Sequence, residues 1–456
     1  RSALAQRSCP PGDDLAPETQ TFMKSVPTIR RFLVGAALLA MAIAGQFAIR
    51  RGAGIAGGGA LLLGAIGFAA AFRLPSGSHG ELLRRAGWRR WDARLLLLLL
   101  AVAAALGFGA LQMLDVPAPD ARFWQLYGVS LVVTLGGSLA ACCIEQTRTR
   151  AWSRSMWRTL AILAGILVAG AVLRLYRLSD LPFGLWYDEA ANGLEALRVA
   201  NEPQYQPVYT DGVNASGHYL YLIVAAFEAF GVSAHSIRLV SAAMGIATVI
   251  AAYLAARELY GAKAALLAAA LFAVARWSIT FSRLGMYNIS TPLFELLAVA
   301  FLLRAFRRNH PSDFALAGLS IGFGLCFYPA FHLFVAAVGL LLAALLVLQA
   351  WKAWRQTRTG QDAGVADGLS DRLSSIYAFC RSRLYAALGP AVLVTCAVIV
   401  VAPVLTFALE RPESYFARVQ GTSLFSNKEA GERLPALGAN LRKHLLMFNV
   451  RGDPNG

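Results

Sequence analysis

The segment from Leu95 to Leu106 reads Leu-Leu-Leu-Leu-Leu-Leu-Ala-Val-Ala-Ala-Ala-Leu, without a polar side chain. A transmembrane helix needs about 20 mainly apolar residues, and the run continues with few interruptions to residue 114. The whole chain of 456 residues is 57% hydrophobic and 15% charged, with a mean hydropathy of +0.53. Soluble domains average about 45–50% apolar and about 25% charged residues, and disordered chains are more polar still. The composition therefore excludes both classes and indicates an integral membrane protein.

Apolar runs of similar length recur along the chain. They predict an all-α polytopic membrane protein with about eleven transmembrane helices. The predicted spans are residues 32–48, 53–72, 95–114, 127–144, 157–176, 237–257, 263–281, 290–306, 313–328, 331–350 and 388–409.

The formal net charge of +16 indicates how the chain is oriented in the membrane. A nucleic-acid-binding protein would also be basic, but it would not need the apolar runs, so no nucleic-acid partner is predicted. Lys and Arg collect in the cytoplasmic loops of membrane proteins. The basic loops alternate correctly if all are cytoplasmic; they are residues 84–94, 148–154, 257–263, 304–308 and 352–383. The segments that then face outward are residues 115–126, 177–236, 282–289, the bend at Tyr328–His332 and those after about 410.

The outer loop of residues 177–236 is long and acidic. Its acidic residues are Asp180, Asp188, Glu189, Glu195, Glu202, Asp211 and Glu228. Residues 218–231 within it are apolar but short, and a span there would place the later basic loops outside. They are therefore predicted to form a helix at the outer membrane interface. A loop of this length is usually more than a connector.

Two adjacent carboxylates lie in this loop, in the segment Gly184-Leu-Trp-Tyr-Asp-Glu-Ala190. One interpretation is structural: Trp186 and Tyr187 belong to the aromatic belt of the interface, and Asp188 is the N-cap of a helix. The other is chemical: Asp188 is a general base that accepts a proton from a substrate. The residues alone leave both interpretations open.

The same motif, extended back to Arg174-Leu-Tyr-Arg-Leu-Ser-Asp-Leu-Pro182, resembles the first outer loop of the GT-C membrane glycosyltransferases. Two later motifs add to the resemblance, Arg238-Leu-Val-Ser-Ala-Ala-Met-Gly245 and Tyr253-Leu-Ala-Ala-Arg-Glu-Leu-Tyr-Gly261. Within that superfamily the chain resembles bacterial glycosyltransferase family 39 and the RgtA/B/C/D-like enzymes. These are similar to protein O-mannosyltransferases and to the lipid A aminoarabinose transferase.

The resemblance implies a GT-C-like core with a long outer loop that carries interfacial helices. It implies a sugar transferase of the bacterial plasma (inner) membrane, with its active site on the outer face. The implied partners are membrane lipid, a polyprenyl-phosphate-linked sugar donor, and an acceptor glycan, lipid or protein. Asp188 would take the proton of the acceptor hydroxyl, and Glu189 would support it. The only cofactor left open is a divalent cation held by Asp188 and Glu189.

Other site residues follow from the same resemblance. Arg283 and His218 would bind the donor phosphate; His218 lies where relatives often have Lys-Pro-Pro-Leu. Arg283 has a second interpretation, as an arginine that anchors a helix end at the interface. The second outer loop has no acidic residue, which argues against a metal site shared by two loops. The expected sugar and acceptor pocket comprises Trp186, Tyr187, Tyr219, Tyr287, Asn288, Tyr328 and His332.

The expected organisation has six parts. The last is expected to be the start of an outer segment that is longer in relatives. The six parts are an N-terminal tail (1–30), a four-span region (31–156), the catalytic membrane core (157–350), a basic cytoplasmic linker (351–387), a further span (388–409) and the start of the outer segment (410–456). Two other functions stay open. A lipid or sugar transporter or flippase would place polar residues near the bilayer midplane. A scaffold without catalysis would leave the acidic loop unexplained.

The predicted orientation can be tested by cysteine labelling. Cysteines placed at Gln204 and Ser233 should both react with a membrane-impermeant maleimide added outside intact cells, because the helix between them does not cross the membrane in this topology. The measurement is the mass shift of the protein, with the unsubstituted chain as control. Reaction at residue 233 only from the cytoplasmic side would show that residues 218–231 form a span.

Overall fold

A computed structural model describes residues 90–114, 119, 121–149, 154–210, 213, 215–308, 310–358, 369–422 and 430–446. The chain divides into two compact units, Arg1–Ala101 and Val102–Gly456. Of the first unit, the described residues are 90–101, which are helical. The spans predicted at 32–48 and 53–72 lie outside the described residues.

The described part of the chain is almost entirely helical. Its helices are α1 (Arg90–Leu111), α2 (Ala121–Thr149), α3 (Arg154–Leu175), α4 (Tyr187–Asn201), α5 (His218–Phe230), α6 (Ala234–Tyr260), α7 (Ala262–Val274), α8 (Arg276–Ser282), α9 (Ser290–Arg308), α10 (Pro311–Phe327), α11 (Phe331–Arg358), α12 (Leu369–Glu410), α13 (Pro412–Thr422) and α14 (Ala430–Leu446). Two short strands, β1 (Tyr209–Thr210) and β2 (Ala215–Ser216), pair antiparallel between α4 and α5. The all-α prediction is confirmed.

Five of the described helices are long and apolar enough to cross a membrane, or six if the bent pair α7 and α8 forms one span. The five segments are Arg122–Ile144, Arg154–Leu175, Ala234–Tyr260, Tyr287–Arg308 and Gly389–Glu410. Each coincides with a span predicted from the sequence. The polytopic membrane architecture is thereby confirmed, and the number of eleven spans stays a prediction.

The span predicted as continuous over 263–281 is two helices, α7 and α8, which are bent by 57°. Ala275 at the break has extended backbone angles. The buried Arg174 of α3 donates hydrogen bonds to the carbonyls of Phe272 and Ala273, at 3.3 Å and 2.9 Å. Carbonyls at a helix end lack intrahelical partners, so the guanidinium supplies the donors that a continuous helix would otherwise have provided.

Helices α10 and α12 approach closely because α10 presents glycines to the contact. A Cβ added at Gly318 would overlap the Leu393 carbonyl, and one at Gly322 would lie 2.7 Å from Cβ of Val400. Small residues spaced four apart allow the backbones of membrane helices to pack in this way. The sequence Gly318-Leu-Ser-Ile-Gly322 therefore sets the distance between these two helices.

The outer loop predicted at 177–236 folds into α4, the strand pair and α5. Helix α5 has 13 residues. At 1.5 Å per residue such a helix is about 20 Å long, shorter than a bilayer core of about 30 Å. Its length fits the predicted interfacial helix. The side of the membrane on which it lies stays a prediction.

The segment predicted as a linker at 351–387 contains helix at both ends. Helix α11 continues to Arg358, and α12 begins at Leu369, well before its membrane-length part at Gly389–Glu410. The predicted further span at 388–409 is therefore the second half of a longer helix. The residues between the two helices lie outside the described part of the chain.

The close contact of α10 with α12 gives a stability prediction. The substitution Gly318→Val should lower the stability of the protein in detergent, because overpacking a tight contact typically costs about 1–3 kcal/mol. The measurement is the thermal unfolding midpoint. The matched control is Gly165→Val in α3, where an added Cβ meets no atom within 4 Å. Equal midpoints for the two variants would contradict the close contact.

Candidate active site

The two adjacent carboxylates form the first turn of α4. The chain leaves α3 at Leu175 and enters α4 at Tyr187, with Trp186 extended as the N-cap. The Glu189 carboxylate accepts the Trp186 backbone N–H at 3.2 Å. Asp188 and Glu189 thus lie where the helix dipole favours negative charge. The interpretation of Asp188 as the N-cap is wrong, because Trp186 occupies that position.

Asp188 presents its carboxylate at the molecular surface. Among the residues that the structure describes, none donates a hydrogen bond to this carboxylate or forms an ion pair with it. Its neighbours Trp186 and Tyr187 are 62% and 84% exposed. A carboxylate whose lone pairs are free can accept a proton from a hydroxyl bound beside it.

Glu189 has the opposite environment, although it is the next residue. Its side chain is fully buried and pairs with Arg238 of α6, with Nε 2.7 Å from Oε1 and Nη2 3.1 Å from Oε2. Oε1 also accepts the backbone N–H of Gly285 at 3.0 Å. Both oxygens are therefore bound by the protein. That Glu189 supports the reaction stays a prediction. Its contacts hold the first turn of α4 against α6 and Gly285.

Arg238 also binds the loop that leads to Asp188. Its guanidinium donates hydrogen bonds to the backbone carbonyls of Leu178, Ser179, Pro182 and Gly184. Arg238 is 1% exposed. A single buried side chain thus joins α6, the loop and the first turn of α4.

Arg283, predicted to bind the donor phosphate, holds the same loop from the end of α8. It donates hydrogen bonds to the backbone carbonyls of Leu173, Arg174, Tyr176, Arg177 and Leu181. Burial lowers the pKa of Arg283 from its ordinary value, and the nearby charge of Arg238 lowers it further. These contacts link the second outer loop to the end of α3. The phosphate-binding role stays a prediction.

His218, the second predicted phosphate ligand, lies buried at the start of α5. Its ring nitrogens lie 2.8 Å from Ser216 Oγ and 2.9 Å from the Tyr127 hydroxyl of α2. The Tyr127 hydroxyl also lies 2.6 Å from the Val400 carbonyl oxygen, and Ser216 Oγ lies within hydrogen-bond distance of the Cys326 carbonyl oxygen. Because a neutral imidazole has one donor and one acceptor nitrogen, one of these two hydroxyls donates to the ring when the ring is neutral. Burial lowers the pKa of His218 from 6.5 to about 4, so the ring is neutral near pH 7. Binding a phosphate as a cation would therefore require protonation against this burial.

Three of the predicted pocket tyrosines lie together. The ring centroid of Tyr287 is 5.9 Å from that of Tyr219 and 5.6 Å from that of Tyr328. The Tyr219 hydroxyl is 2.8 Å from Ser241 Oγ, which donates to the Met286 carbonyl at 3.0 Å. The segment predicted as the second outer loop, residues 282–289, therefore contributes Tyr287 to the tyrosine cluster and contacts Glu189 at Gly285.

Two further predicted pocket residues are His332 and Asn288. His332, at the start of α11, is exposed, and its Nε2 lies 3.1 Å from the Tyr415 hydroxyl of α13. Asn288 is half-buried in a 3₁₀ turn, Tyr287–Ile289.

In the described part of the chain, no three His, Cys, Asp or Glu side chains lie close enough together to hold a metal ion. Asp188 is exposed, whereas Glu189 is buried against Arg238. The two carboxylates thus face different surroundings, and the divalent cation stays an expectation of the resemblance.

One known protein family matches part of the chain. Residues 218–364 match the family model of the dolichyl-phosphate-mannose-protein mannosyltransferases. The chain therefore carries a GT-C-type, protein-mannosyltransferase-like segment. That segment contains α5 to α11, so the resemblance to the GT-C membrane glycosyltransferases is confirmed over these residues, and the match supports a membrane glycosyltransferase. No curated protein and no solved structure matches the chain. Asp188 and Glu189 precede the matched residues.

Arg174 and Arg238 are not among the site residues predicted from the sequence, although both lie in motifs that carry the resemblance. Each is a fully buried arginine inside a predicted apolar span. A charged side chain there is costly and calls for specific partners, and this was the available signal. The partners themselves, at residues 272–282 and 178–189, could not be read from local sequence.

The buried His218 gives a pH prediction. Its pKa is lowered to about 4 in the folded chain, so the unfolded chain binds more protons between that value and the ordinary value of 6.5. Stability should therefore fall as pH drops through this range. The substitution His218→Gln should flatten the dependence of the thermal midpoint on pH. The control His332→Gln, at an exposed site, should follow the wild type; three parallel curves would contradict the prediction.

Proposed function

We propose that this protein moves a sugar from a polyprenyl-phosphate-linked donor to an acceptor hydroxyl on the outer face of the membrane, with Asp188 as general base. The observation that carries the proposal is the free, exposed carboxylate of Asp188 beside a fully engaged Glu189. The family match supports glycosyl transfer in a membrane. The acceptor class is a hydroxyl of a glycan, a lipid or a protein.

The proposed step is a substitution at the anomeric carbon. The acceptor oxygen forms a bond to that carbon, and the bond between the carbon and the phosphate oxygen breaks. Asp188 takes the acceptor proton, and polyprenyl phosphate leaves with the bonding electrons. General-base catalysis of this kind contributes about 10²–10⁴-fold to a rate.

Local charge supports an anionic leaving group. Arg238 and Arg283 both bind the loop before α4, Arg174 lies in the last turn of α3 just before that loop, and Glu189 pairs with Arg238. The positive charge of these guanidinium groups stabilises negative charge that develops on the departing phosphate. Preorganised donors are effective in sites that exclude water.

The broken helix α7–α8 favours a second candidate, a lipid or sugar transporter or flippase. Discontinuous helices form the substrate sites of many transporters. In this chain Arg174 binds the carbonyls at the break, so they are not free for an ion or substrate. We therefore place the transporter second.

The general-base role is tested by Asp188→Asn. Transfer from a synthetic polyprenyl-phosphate sugar in membranes should fall by about 10²–10⁴-fold, because the amide cannot take the proton. The measurement is the rate of sugar transfer per folded protein.

The control is Asp180→Asn in the same loop, where the carboxylate is 54% exposed and pairs with Arg177. It should transfer at the wild-type rate. Full activity of Asp188→Asn would overturn the base assignment. Movement of the donor across the bilayer without transfer would favour the transporter.

A further inference from the structure

The loop between α3 and α4, residues 176–186, has little regular structure, yet arginines bind most of its backbone. Arg238 takes four of its carbonyls, and Arg283 takes three more. The loop therefore has a fixed course without a helix or a sheet. Its course is set by two side chains from α6 and from the end of α8.

The same network fixes the first turn of α4 against the second outer loop. Glu189 accepts the Gly285 N–H at 3.0 Å, and Asn192, one turn later, donates to the Gly285 carbonyl at 3.0 Å. Both backbone polar groups of Gly285 thus bind side chains of α4. A Cβ at residue 285 would lie 3.0 Å from Cγ of Glu189 and would overlap Ile237, so glycine permits the close approach.

Adjacent residues on a helix point in directions about 100° apart, because a turn has 3.6 residues. When Glu189 and Asn192 are held inward, the rotation of α4 about its axis is set. The side chain of Asp188 then points about 70° away from the middle of the inward face, and at this edge of the face it is exposed. The direction of the carboxylate is therefore a consequence of contacts made by other residues.

We propose that Arg238 is the positioning residue of this site, with Glu189 as its counter-ion. Through Glu189 and the loop carbonyls it sets the rotation of α4 and so aims Asp188 at the acceptor hydroxyl. This inference rests on the proposed function in placing the reaction at Asp188. Glu189 is then a positioning residue and not a catalytic one.

Stability alone does not require this pair. Replacing a buried ion pair by well-packed apolar side chains is often neutral or stabilising, because two desolvated charges are costly. The guanidinium instead offers five donors in a rigid plane, which fixes the directions of several acceptors at once. Arg238 uses this geometry on four carbonyls and both oxygens of Glu189.

The test is Arg238→Lys. Lysine keeps a positive charge opposite Glu189, but its compact ammonium with three donors cannot bind all of these acceptors. We expect kcat per folded protein to fall about 10²-fold, the loss that a misplacement of about 1 Å can cause. KM for the polyprenyl-phosphate sugar should stay unchanged. The matched control is Arg198→Lys, an exposed arginine of α4 that pairs with Glu202 and should leave both constants unchanged.

A second readout does not depend on activity. Arg177 is exposed in the bound loop, so trypsin cleavage after Arg177 should be faster in Arg238→Lys than in the wild type or in Arg198→Lys. The measurement is the rate of appearance of the fragment by mass spectrometry.

The outcomes separate the two proposals. A lower thermal midpoint with unchanged kcat per folded protein, or unchanged cleavage, would overturn the positioning role while leaving Asp188 as the base. Full activity of Asp188→Asn, together with faster cleavage in Arg238→Lys, would overturn the proposed function and show that the network holds the loop for another purpose.

Discussion

The buried ion pair of Glu189 with Arg238 is the contact on which the arrangement of α4, α6 and the loop after α3 depends. Within one pair of side chains it joins the first turn of α4 to α6, and the guanidinium continues to the loop that follows α3. Glu189 extends the link to Gly285. The loop after α3 and the segment at Gly285, which are far apart in sequence, thus bind the same ion pair, and Asp188 directly precedes Glu189 in the chain.

A membrane environment explains why arginines bind the irregular backbone of this chain. Backbone that leaves a helix at membrane depth needs donors and acceptors from the protein, because lipid supplies none. Arg174 provides donors at the break between α7 and α8, and Arg283 provides them at the end of α3. Each of these arginines donates to backbone carbonyls at a point where a predicted span ends or bends. Irregular backbone and buried charge therefore occur together in this chain.

The helices before the core also take part. Tyr127 of α2 binds His218, which begins both α5 and the segment that matches the mannosyltransferase family. The Tyr127 hydroxyl also lies 2.6 Å from the Val400 carbonyl oxygen of α12. The four-span region, predicted as separate from the catalytic core, thus contributes a hydrogen bond to the first residue of the matched segment. Residues outside the matched segment therefore also pack against it.

The sequence by itself determined that this is a membrane protein and where most of the described spans lie, because the length of an apolar run and the charge of a loop are local properties. It also singled out Asp188 as a candidate site residue, because two adjacent carboxylates are visible in the local sequence. Local sequence also carried the resemblance that the family match confirmed. Only the tertiary structure decided that Asp188 is free while Glu189 is bound, since the partner of Glu189 lies 49 residues away on another helix. The bend at Ala275 was likewise hidden, because its cause is a guanidinium from α3 and not a proline or glycine in the span.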